Sequence, residues 1–108
     1  MSRPPRIWIS NRSPAQGETV HVRTMITHPM DAGLRRDADG RPLPRNIVNR
    51  VQCLLDRTPL FEWFLETAIS QNPYLEFRFL ADAPGPLRLI WTDDQGQITE
   101  IAEEFTPI

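Results

Sequence analysis

Residues 18–27 read ETVHVRTMIT, and this stretch decides the fold. Val20, Val22, Thr24 and Ile26 alternate with polar or longer side chains, so in an extended chain one set faces a core and the other faces water. Similar alternating segments are predicted at residues 6–10, 46–55, 60–67, 72–79, 87–91 and 97–105. About seven short strands separated by turns predict an all-β fold, an antiparallel β-sandwich of immunoglobulin-like type.

Turn-forming residues separate these segments. They lie at residues 11–17 (NRSPAQG), 56–59 (DRTP), 82–86 (DAPGP) and 92–96 (TDDQG). The chain contains 11 Pro, a residue that is poorly tolerated inside helices and central strands. This composition favours short strands, and a length of 108 residues predicts a single domain over residues 1–108.

Composition excludes several classes of protein. The net charge is −2, from 14 acidic and 12 basic residues, so no basic excess is available for nucleic acid or an anionic membrane. All 12 bases are arginine, which removes a Schiff-base lysine. The sequence has neither a stretch of membrane-spanning length nor the apolar run of a signal peptide, so these signals alone predict a soluble cytoplasmic protein.

The segment LFEWFL at residues 60–65 is apolar on both faces of its predicted strand. Period-two alternation puts Phe61 and Trp63 on one face, and Leu60 and Phe64 on the other. In an antiparallel sheet with one face in water, the second set would be polar. Either another part of the chain or a partner protein is therefore expected to cover Leu60 and Phe64.

A long connection separates the second and third predicted strands. It runs from His28 through HPMDAGLRRDADG and RPLPR to Arg45, roughly eighteen residues where about four to six are typical. Its prolines and glycines restrict or direct the backbone, and its aspartates and arginines are able to pair. This composition predicts an ordered recognition loop rather than a flexible tether.

No catalytic constellation follows from the sequence. His21 and His28 are the only histidines and would lie roughly 23 Å apart in an extended strand, too far to share a metal. Cys53 shares a strand face with Val51 and Leu55 and is expected to be buried, whereas a reactive thiol needs exposure and a nearby cation. We therefore expect no enzyme, no metal site and no cofactor in this chain.

The charged residues of the loop permit more than one interpretation. Its aspartates are explained by Asx turns and surface ion pairs, although acid–base chemistry or part of a calcium loop is also compatible with them. Arg35 and Arg36 could clamp an anion through bidentate hydrogen bonds, or brace the loop against Asp37 or Asp39.

The tripeptide Asn72-Pro73-Tyr74 precedes the fifth predicted strand. An asparagine side chain caps turns, and proline restricts its own φ, so the tripeptide is typical of strand entry. Tyr74 then either begins the strand or lies at a rim beside the long loop, where its ring and hydroxyl would be available.

Taken together, these residues resemble the SoxZ family, the smaller subunit of the SoxYZ carrier of bacterial thiosulfate oxidation. The resemblance covers about residues 20–100 in the order of the family and includes the turn at residues 91–96 (WTDDQG). The other residues that carry it are His28, Pro29, Met30, Gly33, Arg35, Asp37, Gly40, Pro44, Ile47, Ser70, Asn72, Pro73, Tyr74 and Phe77.

The resemblance implies a periplasmic domain without catalysis of its own. Sulfur intermediates would be carried on a cysteine in the flexible C-terminal tail of the partner, SoxY. This chain would form a heterodimer with SoxY and help present that tail to the Sox enzymes, which would dock transiently. Export together with a signal-bearing SoxY would place the chain in the periplasm, against the cytoplasmic expectation above, and the isolated subunit could form a homodimer.

The candidate partner-binding residues are His28, Pro29, Met30, Gly33, Arg35, Asp37, Leu60, Phe64, Asn72 and Tyr74. Two alternatives are also compatible with the sequence. One is a thiol-dependent redox protein that uses Cys53. The other is a generic immunoglobulin-like interaction module within a larger assembly.

Overall fold

Seven strands are present in the computed structural model, which describes residues 5–67 and 72–107. They are β1 (Arg6–Ile9), β2 (Thr19–Met25), β3 (Val48–Leu55), β4 (Thr58–Phe64), β5 (Tyr74–Leu80), β6 (Gly85–Asp93) and β7 (Ile98–Phe105). Every predicted segment is confirmed as a strand. Ser70, one of the residues that carry the resemblance, lies outside the described residues. Among the described residues no helix has the length and apolar character that crossing a membrane requires.

The strands form two antiparallel sheets. One is three-stranded, in the order β1-β2-β5, and the other is four-stranded, in the order β4-β3-β6-β7. The predicted immunoglobulin-like sandwich is therefore confirmed. The fourth strand pairs with the third, whereas in immunoglobulin constant domains it belongs to the sheet of the first two strands.

Alternation along each strand decides which side chains fill the space between the sheets. Val20, Val22 and Thr24 of β2 are buried, as the sequence predicts. The buried side chains of β3 and β6 are Val48, Val51, Cys53, Leu55, Leu87, Leu89, Trp91 and Asp93. Phe61 and Phe77 meet edge to face across the two sheets, with ring centroids 4.7 Å apart. Burial of each large apolar side chain contributes roughly 1.5–3 kcal/mol, so this layer is the main source of stability.

The hairpin between β3 and β4 is shorter than predicted. Its turn consists of Asp56 and Arg57 alone, because Leu55 pairs directly with Thr58. Asp56 has a φ of 56°, a conformation that aspartate tolerates better than most residues. Strand β4 consequently begins at Thr58 rather than at Leu60, and its proline is accommodated because β4 is an edge strand.

A β-bulge changes which residues of β4 face the core. The register shifts between Cys53 and Leu54 of β3, which leaves Leu60 as the extra residue on β4. Leu60 and Phe61 both pack against the core, whereas Phe64 is 66% exposed. The prediction that Leu60 and Phe64 share a face is therefore wrong, because strict alternation ends at a bulge. The guanidinium of Arg50 lies 6.0 Å from the centre of the Phe64 ring and covers it only in part.

Gly85 is required by a close approach between β6 and the β3–β4 turn. Its φ is 134°, and a Cβ atom at this position would lie 2.7 Å from the Cβ of Asp56. The Asp56 N–H donates to the carbonyl of Pro86 at 2.8 Å, so the turn has little freedom to move away.

We expect Gly85→Ala to lower the free energy of unfolding by about 2–3 kcal/mol, because it adds a steric overlap to an unfavourable φ. Urea denaturation of the purified variant measures this loss. Gly40→Ala is the matched control, since Gly40 also has a positive φ, of 80°, but nothing within 4 Å of its would-be Cβ. The control is expected to lose only about 1 kcal/mol, from backbone strain alone. Equal losses in the two variants would contradict the role of the contact with Asp56.

Candidate functional site: a braced arm

The long connection is a paired arm that projects from one end of the sandwich. Asp31 and Asn46 exchange two backbone hydrogen bonds of 2.8 Å, and farther out Arg36 forms a bridge with Pro42. Strands of at most nine residues span only about 30 Å, so the longest dimension of the molecule, 59 Å, includes this extension. We call residues 28–45 the arm. Its internal pairing agrees with the prediction of an ordered loop.

His28 holds the outgoing end of the arm. The Met30 N–H donates to Nδ1 of His28 at 3.0 Å, so the ring proton is assigned to Nε2, which faces Oδ2 of Asp93 at 3.3 Å. The side chain of Asn72 accepts from the His28 N–H at 2.9 Å, and the Asn72 N–H donates to the His28 carbonyl at 2.8 Å. Both ring nitrogens and both backbone groups of His28 are therefore engaged.

Asp94 holds the returning end of the arm. It accepts a bidentate pair of hydrogen bonds from Arg45, at 2.7 and 2.9 Å. The Ile47 N–H donates to Asp94 at 3.2 Å, and the side-chain amide of Asn49 donates at 2.8 Å. The hydrogen bond from Arg45 holds the pKa of Asp94 below its ordinary value of 3.8, against the opposing effect of partial burial. The same interaction raises the pKa of Arg45.

The two bracing carboxylates are neighbours in the turn between β6 and β7. Oδ1 of Asp93 accepts from the N–H groups of Gln95 and Gln97 at 3.0 and 2.9 Å, which shapes the turn. Oδ2 of Asp93 faces Nε2 of His28, and the next residue, Asp94, accepts hydrogen bonds from Arg45. One turn therefore fixes the residues at which the arm leaves the sandwich and returns to it.

Two residues of the arm need unusual backbone conformations. Met30 has a φ of 50° while its side chain is buried, and its sulfur accepts from the Val48 N–H at 3.2 Å. A non-glycine residue in this region costs of order 1–3 kcal/mol, which the surrounding contacts must offset. Gly33 has a φ of 81°, and a Cβ atom there would lie 3.3 Å from the Cβ and backbone nitrogen of Arg45. A larger residue at position 33 would therefore push the two sides of the arm apart.

The charges of the arm mainly serve its own shape. Arg35 binds Asp31 through Nε at 3.0 Å and Nη2 at 2.9 Å. The prediction that Arg35 pairs with Asp37 or Asp39 is therefore wrong. Asp37 instead accepts from the N–H groups of Asp39 and Arg41, both at 2.9 Å, which confirms the Asx-turn interpretation. Arg35 and Asp31 are four residues apart on the outgoing side of the arm, where the Gly33 N–H also donates to the Asp31 carboxylate at 3.0 Å.

The predicted site residues fall into three places. His28, Met30, Gly33 and Asn72 hold the base of the arm, and Pro29, Arg35 and Asp37 lie on it. Tyr74 lies instead on the outer face of the three-stranded sheet, 51% exposed, and donates to Glu76 at 3.1 Å. Leu60 packs against the core and Phe64 lies exposed on β4. The next residue, Leu65, donates its N–H to the carbonyl of Asn49 at 2.9 Å, so this end of β4 lies beside the base of the arm. Whether these ten residues bind a partner stays a prediction.

Sequence reasoning missed several residues of the site. Leu34 is 89% exposed on the arm, beside Pro29 and Ala32. The brace formed by Arg45, Asp93 and Asp94 was also missed, although two adjacent acids in a tight turn are a signal for it. Asn46, at the base, has a buried side-chain oxygen without a hydrogen-bond partner among the described residues and lines a cleft of about 360 Å³ with Trp91.

Cys53 lies in the core and not at the site. Burial raises the pKa of its thiol to about 12, so the thiol stays protonated near neutral pH. The alternative of a thiol-dependent redox protein needs an exposed, ionisable thiol, and the structure contradicts it. Within the described ranges no three or more histidine, cysteine or acidic side chains are grouped so that they could hold a metal ion.

The sequence matches the family described as "Sulphur oxidation protein SoxZ" over residues 9–103. The chain belongs to the SoxZ family. This confirms the resemblance seen in the sequence, and the matched range includes the whole arm and its bracing turn. The SoxZ match therefore assigns the chain to bacterial sulfur oxidation, whereas no curated protein matches the sequence significantly.

Solved structures that resemble this SoxZ-family chain include superoxide reductase (neelaredoxin) from Ignicoccus hospitalis. The likeness covers 99% of this chain and 82% of that one, with a TM-score of 0.75 and 14% sequence identity. A single-residue variant of the same enzyme gives a TM-score of 0.71 at 13% identity, covering 97% and 80% of the two chains. At this identity the likeness shows a shared β-sandwich fold and nothing about activity.

The brace makes a specific prediction about acid stability. The pKa of Asp94 is lower in the folded chain than its ordinary value of 3.8. The Asp94 carboxylate therefore contributes its full stabilisation of the fold above pH 3.8, and this stabilisation is lost as the pH falls through the pKa of the folded state. We expect Asp94→Asn to be less stable than the parent protein at pH 7 by about 1–2 kcal/mol and to lose less further stability below about pH 4. Chemical denaturation between pH 7 and pH 2 measures both effects.

Asp39→Asn is the control for this experiment. Asp39 belongs to the same arm, but its carboxylate makes no hydrogen bond with another described residue. Its variant is expected to reproduce the pH profile of the parent protein. An Asp94→Asn profile that also matches the parent would show that Asp94 does not hold the arm through its charge.

Proposed function

We propose that this chain is the non-catalytic subunit of a SoxYZ sulfur carrier. It binds a SoxY partner and helps present the sulfur-bearing cysteine of the SoxY tail to the enzymes that oxidise thiosulfate. The observation that carries the proposal is the family match over residues 9–103. Membership of the family supports a place in sulfur oxidation, and the geometry of the arm supports a role in presentation.

A non-catalytic role agrees with the chemistry of the site. The ring of His28 is engaged on both nitrogens, and Asp94 receives four hydrogen bonds. A general base needs a free position within reach of a substrate proton. Here the His28 ring and the Asp94 carboxylate are committed to holding the arm, and the cysteine is buried.

The outer part of the arm is suited to docking. Leu34 is an exposed apolar side chain on a paired backbone, and the side chain of the adjacent Arg35 is 73% exposed although Asp31 binds it. Arginine is enriched at the energetic centre of protein interfaces, and the exposed Leu34 side chain beside it adds apolar area that binding would bury. The exposure of Arg35 supports a second role, binding of the anionic sulfur group on the SoxY tail, because arginine binds anions through bidentate hydrogen bonds.

The proposed function includes a location. A SoxYZ carrier acts in the periplasm, and we propose that this chain reaches it by export together with a signal-bearing SoxY. Cell fractionation with and without co-expressed SoxY tests this: the chain is expected in the periplasm only when SoxY is present.

We expect the chain to form a stable heterodimer when it is co-expressed with the SoxY of the same organism. Size exclusion with light scattering would then give the mass of one copy of each protein, and the isolated chain measured in parallel would show whether it self-associates. Elution of the two proteins as separate species at micromolar concentration would contradict the proposal and favour a generic immunoglobulin-like interaction module.

We further expect Leu34→Ser and Arg35→Ala to weaken docking of the Sox enzymes without weakening SoxY binding. Truncation of a well-placed interface residue typically costs about 1–2 kcal/mol, so kcat/KM for thiosulfate in the reconstituted system is expected to fall roughly 5- to 30-fold. Arg57→Ala is the control, because Arg57 lies in the exposed β3–β4 turn, on a different element. Unchanged turnover with both arm variants would remove Leu34 and Arg35 from the docking surface.

A further inference from the structure

The outer face of the three-stranded sheet carries two aligned rows of side chains. In one row, Trp8 of β1 pairs with Arg23 of β2, which pairs with Glu76 of β5. The Arg23 guanidinium lies 4.8 Å from the centre of the Trp8 ring and 3.8 Å from the Glu76 carboxylate. The row is therefore ordered by a cation–π contact and an ion pair before any partner arrives.

The second row runs beside the first, from Arg6 through Met25 to Tyr74. Met25 and Tyr74 are 40% and 51% exposed, and Trp8 in the first row is 49% exposed. We call these six residues the Trp8 face: Arg6, Trp8, Arg23, Met25, Tyr74 and Glu76. Tryptophan, tyrosine, methionine and arginine are the residue types enriched in protein interfaces, and the face consists of them apart from one glutamate.

The charge of this face has the opposite sign to that of the whole chain. With the next outward residue of β5, Arg78, the face carries three arginines and one glutamate, a net charge of +2 on a chain of net charge −2. Neither Arg6 nor Arg78 forms an ion pair with another described residue, whereas on the four-stranded sheet Arg50 and Arg88 are each paired with a glutamate. The Trp8 face therefore has uncompensated positive charge.

An open strand edge borders the same face. In the described ranges no strand pairs with the outer edge of β5, and the register of β5 against β2 is unbroken over its seven residues. The other long edge near exposed aromatic residues, β4, contains Pro59 and a bulge, both of which resist strand addition. Strand β5 thus offers main-chain hydrogen bonds beside the Trp8 face.

The face is continuous with the base of the arm. Tyr74 follows Asn72 and Pro73 directly. Asn72 bonds to both backbone groups of His28, accepting from its N–H and donating to its carbonyl. Any protein seated on Tyr74 and Met25 would lie next to the residues that fix the arm. A partner bound on this face would therefore lie beside the arm, which the proposed function assigns to presentation of the SoxY tail.

We propose that the Trp8 face is the surface on which the SoxY partner docks, through an acidic patch of SoxY that surrounds an apolar pocket for Trp8. The proposal rests on the proposed function and goes further by assigning the heterodimer to the three-stranded sheet, away from Phe64. A second copy of this chain does not fit, because a two-fold interface would bring the arginines of both copies together.

Variants of the assembled complex test the assignment. Tagged SoxY is co-expressed with the parent chain or a variant, and the dissociation constant is measured from the fraction bound over a concentration series. Trp8→Ala is expected to weaken the complex by about thirty-fold or more, as truncation of a central aromatic residue does. Arg78→Glu is expected to weaken it at least ten-fold at low salt, with a smaller effect at high salt because surface charges are then screened.

Phe64→Ala is the matched control, an exposed aromatic residue on the other sheet, and it is expected to change the dissociation constant less than three-fold. Unfolding midpoints of the isolated variants check their folding, and Arg78→Glu keeps the test decisive if Trp8→Ala proves unstable, since Arg78 is exposed and packs in no core.

The outcomes separate the two proposals. If the parent chain and SoxY do not associate, the proposed function fails. If they associate and Trp8→Ala and Arg78→Glu bind normally, or only Phe64→Ala weakens the complex, the Trp8 face is not the docking surface although the proposed function stands. An isolated chain that is dimeric and becomes monomeric with Trp8→Ala would assign the face to self-association and overturn the inference.

Discussion

Two neighbouring carboxylates hold the arm of this protein, and the positions of its exposed residues depend on them. Asp93 accepts a hydrogen bond from the His28 ring and Asp94 accepts hydrogen bonds from Arg45, so the outgoing and returning ends of the arm are bound to one turn. Closing a long loop costs conformational entropy, and the charge-assisted hydrogen bonds at its two ends contribute to offsetting that cost. Asp93 is also buried and shapes the turn by accepting from two backbone N–H groups, so the carboxylate that faces His28 is itself held in place.

The brace divides the residues of the arm and its base into an inner and an outer group. His28, Met30 and Asn72 bond inward to hold the base, while Leu34 and Arg35 are presented outward on a paired backbone. Under the proposed function, this arrangement would let a chain whose only cysteine is buried take part in chemistry on another polypeptide. A preorganised arm would reduce the ordering cost of each docking event.

Much of the fold could be predicted from the sequence because alternation is a local property. Val20, Val22 and Thr24 are buried where a period of two places them, and each of the seven strands covers a segment that alternation predicts, although β4 and β6 begin inside predicted turns. The error at Leu60 comes from the pairing of two strands, which the alternation within one strand does not reveal. Leu60 was assigned to the wrong face because a bulge against β3 interrupts the alternation, and a bulge is formed by two strands together rather than by one.

The sequence by itself determined the sandwich, the length of the arm, the Asx turn at Asp37 and the family. Only the tertiary structure decided what the arm is attached to, and that Trp8, Arg23 and Glu76 form one row. The physical reason is range. Side-chain alternation and turn formation depend on residues a few positions apart, whereas His28 meets Asp93 across 65 positions and Arg45 meets Asp94 across 49. Contacts of that separation exist only after the two sheets have packed.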